Sequence, residues 1–236
     1  MNIKLTEEQM FDYIDCPAMF EMKYIKKIPY SKESKFKELL NKTSKYFYIN
    51  LLQEKICTAH EMKKVWDKIC NENKNIIDPK KAIEGMGFIN KFLLWAQDQQ
   101  IIIIDVGTSY SVVIDNTEVT GTLGVVSSNA FRKNELLITD FSNRMIDQEI
   151  LDMKLKYSLE AYAFKKVYNK FIDNIRYQSV KYNRELYSLR SDMDFKRLET
   201  TIRNVGQSIM DKLFYPREGI GCQTCPMKIY CKQWHY

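Results

Sequence analysis

Four cysteines near the two ends of the chain place the strongest constraint on how it can fold. Cys222 and Cys225 form a C-x2-C pair, and Cys231 follows with five residues between. Two intervening residues let both thiolates face one metal centre, and the next spacing lets a short turn return a third ligand. Such centres usually take four ligands, so the fourth must come from another part of the chain.

Cys16 is the best candidate for that fourth ligand. Cys57 and Cys70 lie in helix-like segments, where a thiol is most simply a buried apolar group. Cys16 directly precedes Pro17 at a predicted helix break, where its side chain can turn outward. The sequence therefore predicts a metal site of Cys16, Cys222, Cys225 and Cys231 that links the two ends of the chain. Spacing leaves an iron–sulfur cluster and a Zn²⁺ ion open, and His235 could serve as a zinc ligand.

Apolar periodicity divides the chain into a helical first part and a mixed second part. A capping box at Thr6–Gln9 opens a short helix, and Asp115-Asn116 marks a hairpin turn. The predicted helices span residues 34–54, 58–73, 78–99, 148–169 and 192–213. The predicted strands span residues 101–104, 110–114, 118–126, 135–141 and 176–182.

Composition and charge limit the classes of function. The chain has 236 residues, of which 45% are apolar, and a net charge of +6. Residues 19–45 hold eight Lys against three Glu, and residues 154–183 hold six Lys and one Arg against two acids. Such surpluses favour contact with phosphate. No apolar stretch is long enough to span a membrane and the N-terminus is not a signal peptide, so we expect an intracellular protein without a membrane partner.

Two enzyme classes do not fit the residues. The eight glycines are scattered and form no Gly-rich phosphate loop. His60 and His235 are the only histidines, so a His-based catalytic triad is not expected.

The cysteine frame resembles that of a known nuclease family. Cys16-Pro17 lies in a pattern with Leu5, Tyr13 and Phe20, and the chain ends in the three-cysteine motif. One cysteine at the front and three at the back are similar to the iron–sulfur subgroup of the PD-(D/E)XK nucleases, which includes RecB-type nuclease domains and CRISPR-associated exonucleases. The resemblance implies that the four cysteines hold a 4Fe–4S cluster rather than zinc.

The resemblance also implies a fold class and its organisation. We expect an α/β protein with a restriction-endonuclease-like core, a central mixed sheet of about four to five strands flanked by helices. An N-terminal helical insertion and a C-terminal cysteine segment would complete a single domain. Residues 1–30 would form an N-terminal segment with the first cluster ligand, and residues 31–100 the helical insertion. Residues 101–183 would form the sheet and helix core, and residues 184–236 the C-terminal helix with the cysteine motif.

Most of the active-site residues that the resemblance implies are missing. In this family carboxylates hold Mg²⁺ or Mn²⁺, which polarises phosphate and activates water, while a Lys assists. The expected motifs are Gly followed by His, Gly-x-x-Asp, acid-x-Lys and Gln-x-x-x-Tyr. The chain has Asn41-Lys42-Thr43-Ser44-Lys45, Gly121-Thr122-Leu123-Gly124, Asp140-Phe141-Ser142 and Ser158-Leu159-Glu160-Ala161-Tyr162 instead. Asp140 and Tyr162 are the predicted remnants, and catalysis is not expected.

Three functions remain open at this point. The first is a degenerate nuclease fold that binds DNA or supports a DNA-processing, replication or transcription assembly with protein partners. For this function, a composition typical of an AT-rich genome suggests a viral protein that acts in the host cytoplasm. The second is an active Mg²⁺- or Mn²⁺-dependent DNA exonuclease with a shifted site, built from Lys154 or Lys156 and the spare acids Asp115, Glu118, Asp147, Glu149 and Asp152. The third is a protein-interaction subunit without DNA contact, docking through Trp234, His235 and Tyr236.

Overall fold

The computed structural model describes residues 2–29, 35–99, 101–129, 133–142 and 146–231. Its α-helices are α1 (Glu7–Asp15), α2 (Pro17–Phe20), α3 (Lys35–Leu52), α4 (Ala59–Glu72), α5 (Pro79–Asp98), α6 (Gln148–Met153), α7 (Leu155–Tyr168) and α8 (Asp192–Met210). Its strands are β1 (Ile3–Thr6), β2 (Ile102–Val106), β3 (Ser109–Ile114), β4 (Thr117–Thr122), β5 (Val125–Ser128), β6 (Asn134–Asp140), β7 (Asn174–Ser179) and β8 (Arg184–Ser188).

The chain forms two compact units, each assembled from separate stretches of sequence. The first unit contains residues 1–33, 109–122 and 192–236. The second unit contains residues 34–108 and 123–191. The cysteine motif at the C-terminus therefore shares a unit with the N-terminal segment.

A five-stranded mixed sheet lies at the centre of the second unit. Its strand order is β2-β5-β6-β7-β8. β6 pairs in parallel with β7, so that Asp140 lies opposite Ser179, and the other pairs are antiparallel. Leu136 and Leu137 of β6 are buried, as expected of a central strand. The predicted mixed sheet flanked by helices is confirmed.

The helices of the second unit supply an aromatic core. Helix α4 begins at the Thr58 capping box, and α5 begins at Asp78 and Pro79. The first residues predicted for these two helices therefore agree with the structure to within one residue. Trp66 is buried between α4 and α5, and its indole N–H donates to the Ala82 carbonyl at 3.0 Å. Phe92 is fully buried in the same cluster. This packing stabilises the predicted helical insertion.

A three-stranded sheet with strand order β1-β4-β3 lies in the first unit. β1 runs parallel to β4, and β3 and β4 form the predicted hairpin, with Ile114 opposite Thr117. Helices α1 and α8 pack against β4. At the helix contact Gly206 allows a close approach, because a Cβ there would lie 1.8 Å from the Thr117 hydroxyl.

Two predicted elements are each broken by a contact from distant sequence. The single strand predicted over residues 118–126 is wrong, because β4 and β5 belong to different sheets and the Gly124 N–H donates to the Glu160 carboxylate. The single helix predicted over 148–169 is also wrong. Lys154 is extended between α6 and α7, and the Arg190 guanidinium donates to the carbonyls of Leu151 and Lys154.

Strand prediction also missed parts of both sheets. β7 begins and ends earlier than the predicted 176–182, and β1 and β8 were not predicted. Each is short, so the alternation of apolar residues is brief. In the part of the chain that the structure describes, no helix is both long and apolar enough to cross a membrane.

Candidate functional site

Cys16 occupies the predicted helix break. It ends α1 and precedes α2 with an extended backbone, at φ −160° and ψ 108°, and Pro17 takes the first helical position of α2. Proline is favoured there because it has no N–H to satisfy. The backbone N–H of Arg217 lies 3.5 Å from the Cys16 sulfur, so the C-terminal segment reaches this thiol.

All four predicted ligands line one cavity, here called the cysteine cavity. Short 3₁₀ turns at Ile220–Thr224 and Lys228–Tyr230 carry the C-terminal three cysteines to it. The cavity has a volume of about 380 Å³. Its lining includes Cys16, Cys222, Cys225, Cys231, Met22 and Lys228. The structure therefore brings together residues that are more than 200 positions apart in the sequence.

The surroundings of Cys225 in the cysteine cavity change the pKa of its thiol. Burial raises the pKa of Cys225, and the neighbouring Cys16, Cys222 and Cys231 sulfurs raise it further, while the Met227 backbone acts in the opposite direction. Four thiolates form the ligand set of both iron–sulfur clusters and structural zinc sites. Among the described residues, no three Cys, His, Asp or Glu side chains converge as ligands of a single metal ion.

A second cluster, the carboxylate centre, surrounds Asp140 at the end of β6. It consists of Asp140, Lys37, Ser142 and Tyr177. The Ser142 hydroxyl donates to Asp140 Oδ2 at 2.6 Å and the Ser142 N–H to Oδ1 at 3.2 Å. The Tyr177 hydroxyl donates to Oδ2, and the Lys37 ammonium pairs with Oδ1. Each oxygen of this buried carboxylate thus has two donors.

These donors decide the ionisation of Asp140. Burial alone would raise the pKa of its carboxyl, but Lys37, Ser142 and Tyr177 together outweigh burial and hold the pKa below its usual range. The pKa of Tyr177 is raised, first by burial and then by Asp140. The centre therefore favours an ionised carboxylate beside a neutral phenol and a cation.

Glu160 lies beside Gly124, the position between β4 and β5 where the first metal carboxylate was expected. Its Oε2 accepts the Gly124 N–H at 2.9 Å, and a Cβ on Gly124 would lie only 2.7 Å from that oxygen. Lys156 lies 4.0 Å from the other carboxylate oxygen. Burial raises the pKa of Tyr157, and both Glu160 and Asp140 raise it further, so both acids act on this phenol.

Several of the remaining predicted positions make contacts within the fold. Tyr162 is buried on α7, with the Lys166 ammonium 5.2 Å from its ring centre. Thr43 and Ser44, where the resemblance implies a His, donate to carbonyls of their own helix. Among the spare acids, Asp152 accepts hydrogen bonds from Gln148 and Ser188. Asp115 and Glu118 belong to the first unit, where they pair with Arg203 and Lys4.

Sequence reasoning missed Lys37, Tyr177 and Glu160. Glu160 carries the one usable signal, because a charged residue inside the apolar run from Leu159 to Phe164 needs a buried partner. Lys37 and Tyr177 carry no comparable signal, since only the fold brings them to Asp140.

Part of the predicted lysine surplus is used internally. Lys37 pairs with Asp140, and Lys23 pairs with Asp12. Arg176 is buried against Glu185, with its guanidinium 5.4 Å from the Trp95 ring. Each of these cations thus pairs with a carboxylate of the protein itself. Trp234, His235 and Tyr236, the predicted docking residues, lie outside the residues that the structure describes.

Comparisons with known proteins show the fold. No protein-family model and no curated protein matches the sequence. A crystal structure described as a "Putative exonuclease" from Eubacterium rectale matches with a TM-score of 0.58 and 8% identity, over 94% of this chain and 86% of that one. The crystal structure of SSO0001 matches with a TM-score of 0.43 and 10% identity, over 100% and 89%. The first likeness shows that the chain has a nuclease-like α/β fold, in agreement with the predicted fold class.

Proposed function

We propose that the protein is a nuclease-fold subunit that holds a 4Fe–4S cluster and binds DNA without cutting it. The observation that carries this proposal is the carboxylate centre, in which the expected metal ligand Asp140 is bound entirely by protein donors. The fold likeness supports the scaffold, and the iron–sulfur PD-(D/E)XK subgroup is the part of the proposal that rests on the cysteine frame.

The donors around Asp140 argue against a catalytic Mg²⁺ or Mn²⁺. A carboxylate offers about four lone-pair sites, and four donors already engage the two oxygens. Mg²⁺ demands near-octahedral oxygen ligands and is reluctant to lose water. The Lys37 ammonium also supplies a positive charge where such an ion would provide one.

Restoring the carboxylate expected at Gly124 would disturb Glu160. A Cβ at Gly124 would lie 2.7 Å from Glu160 Oε2, so the Glu160 carboxylate, which accepts the Gly124 N–H, would have to move. The loss of the Asp in Gly121-Thr122-Leu123-Gly124 and the presence of Glu160 are therefore linked by packing.

The cysteine cavity supports the cluster part of the proposal. A zinc ion bound by four thiolates needs sulfurs within about 2.3 Å of one point. The four cysteines line, with other residues, a cavity of about 380 Å³, which leaves room for a group of several atoms. Cys16, Cys222, Cys225 and Cys231 would hold the cluster, and its chemistry would be cross-linking of the two chain ends.

DNA is the partner that the charge and the fold favour. The net charge is +6, and Lys42, Lys166, Lys170 and Lys181 are exposed. An intracellular, reducing location fits thiols that serve as ligands. A protein of this kind would act within a DNA-processing, replication or transcription assembly, and a viral origin remains a prediction from composition.

Cleavage and binding assays on labelled single- and double-stranded DNA test the proposal. With Mg²⁺ or Mn²⁺ we expect no cleavage, and the same background from wild type, Asp140→Ala and the control Asp67→Ala on α4. We expect binding that weakens as salt rises, because phosphate contacts release counterions. Metal-dependent cleavage that Asp140→Ala abolishes and Asp67→Ala retains would overturn the proposal, as would absence of binding at low salt.

Glu160 favours one alternative, an active nuclease with a shifted site. After burial, its carboxylate and that of Asp140 both raise the pKa of Tyr157, and Lys156 lies 4.0 Å from Glu160. In that case Glu160→Gln would abolish a cleavage activity that wild type shows. Under the present proposal Glu160→Gln changes stability but has no cleavage to remove.

A further inference from the structure

A cluster of lysines and aromatic rings lies at the C-terminal end of α7, and we infer that it binds single-stranded nucleic acid. This basic-aromatic patch consists of Lys165, Lys166, Tyr168, Lys170 and Phe171. The inference rests on the nucleic-acid binding proposed above and adds the surface and the strand form. Such binding combines positive charge along the backbone with rings on which bases stack.

The two rings of the patch are exposed but held in place. Phe171 has 57% of its surface exposed, and the Lys165 ammonium lies 4.3 Å from its ring centre. The Tyr168 ring centre lies 4.9 Å from that of buried Phe164, which anchors it while 36% of the residue stays exposed. Rings fixed in this way lose little freedom when a base stacks on them.

The backbone of the patch is also fixed. Asn169 ends α7 in the left-handed conformation, at φ 51°, so Lys170 and Phe171 follow a sharp turn. The Phe171 carbonyl accepts from the Asn134 side chain at 3.0 Å. The Asp173 N–H donates to the Asn134 carbonyl at 2.7 Å, and the Asn134 N–H donates to the Asp173 carboxylate at 2.7 Å. This network ties the patch to the start of β6.

Charge around the patch favours a polyanion. Lys166 and Lys170 are exposed, Lys165 is half-buried, and exposed Lys133 directly precedes Asn134. Asp173 lies next to the patch, and its carboxylate accepts a backbone hydrogen bond. Three exposed lysines beside a carboxylate that is already engaged fit phosphates better than an apolar protein partner.

The patch is separate from the carboxylate centre. Asn134 starts β6 and Asp140 ends it, so about 20 Å of strand separates the two ends. A nucleic acid held here would not be placed by Asp140. Single strands are favoured over duplex because a duplex hides the base faces that stacking needs.

Fluorescence anisotropy with oligothymidine of about 16 nucleotides, the matching RNA and a duplex tests the inference. We expect Phe171→Ala to weaken single-strand binding about ten-fold, since one stacked base contributes about 1–3 kcal/mol. Phe171→Tyr should bind like wild type. Lys166→Gln with Lys170→Gln should lower the slope of log affinity against log salt by about 1.4.

Matched changes elsewhere in the second unit serve as controls. Tyr182→Ala removes another exposed ring with a nearby lysine, and Lys63→Gln with Lys64→Gln removes two exposed charges from α4. Both should bind like wild type, and melting curves should show that all variants fold. Wild-type binding that the patch variants retain, or a preference for duplex, would overturn this inference alone. A wild type that binds no nucleic acid would overturn the proposed function as well.

Discussion

Asp140 shows how one residue can be predicted while its role cannot. Its place at the end of a central strand follows from the apolar run Leu136–Ile138 and the polar residues after it. Its donors Lys37 and Tyr177 come from α3 and β7, which sequence spacing cannot relate to it. The same holds for Gly124, whose close approach to the Glu160 carboxylate becomes visible only in the folded structure.

The pairing of Lys37 with Asp140 should make stability depend on pH. The folded pKa of Asp140 lies below its unfolded value, so its contribution is present above about pH 3.9 and is lost as the pH falls through the folded pKa. Lys37→Met should lower the free energy of unfolding by about 1–2 kcal/mol near neutral pH. This is less than for a fully buried pair, because Lys37 is half exposed.

Urea unfolding at neutral pH and at low pH measures this effect. The difference between wild type and Lys37→Met should shrink as Asp140 becomes protonated, whereas Lys42→Met, on the exposed side of the same helix, should match wild type throughout. A difference that stays constant with pH would contradict the assigned pairing.

At the scale of elements, local patterns predicted the helices better than the strands. Caps and periodicity located α4 and α5 because those signals lie within the helix itself. The break between α6 and α7 depends on Arg190, and the break between β4 and β5 involves Glu160. Both contacts come from distant sequence, so no window of neighbouring residues contains the cause.

Two glycines of α5 should respond oppositely to the same substitution. A Cβ on Gly85 would lie 2.1 Å from the buried Trp66 ring, whereas Gly87 has open space around it. Gly85→Ala should lower the free energy of unfolding by about 1–3 kcal/mol through overpacking. Gly87→Ala should raise it by about 0.5–1 kcal/mol, since alanine favours helix.

Thermal or urea unfolding of the two variants, each compared with wild type, checks this prediction. Each variant is the control for the other, because the helix and the chemical change are the same. Equal effects at the two positions would mean that α5 does not pack on Trp66 as described.

At the scale of the whole molecule, the four cysteines lie on the first and last stretches of the first unit and line one cavity. A metal centre at the cysteine cavity would close a loop of more than 200 residues, and its binding would be coupled to folding. We therefore expect Cys16→Ala to give a colourless protein with little iron and a lower melting temperature.

Anaerobic purification, visible absorption, and iron and zinc analysis measure this outcome. Cys70→Ala, which removes a thiol from α4, should keep the iron of wild type. A Cys16→Ala protein that remains brown and stable would refute the choice of fourth ligand, and zinc in place of iron would refute the cluster.

The sequence by itself determined the helical first part, the central strand ending at Asp140 and the cysteine frame, because each signal lies in short spacings or end motifs. The tertiary structure decided which strands share a sheet, that four distant thiols line one cavity, and that Lys37, Ser142 and Tyr177 surround Asp140. These depend on contacts between residues far apart in the chain. Such contacts form only when the sheet and helices pack, and the residues that make them carry little local signal.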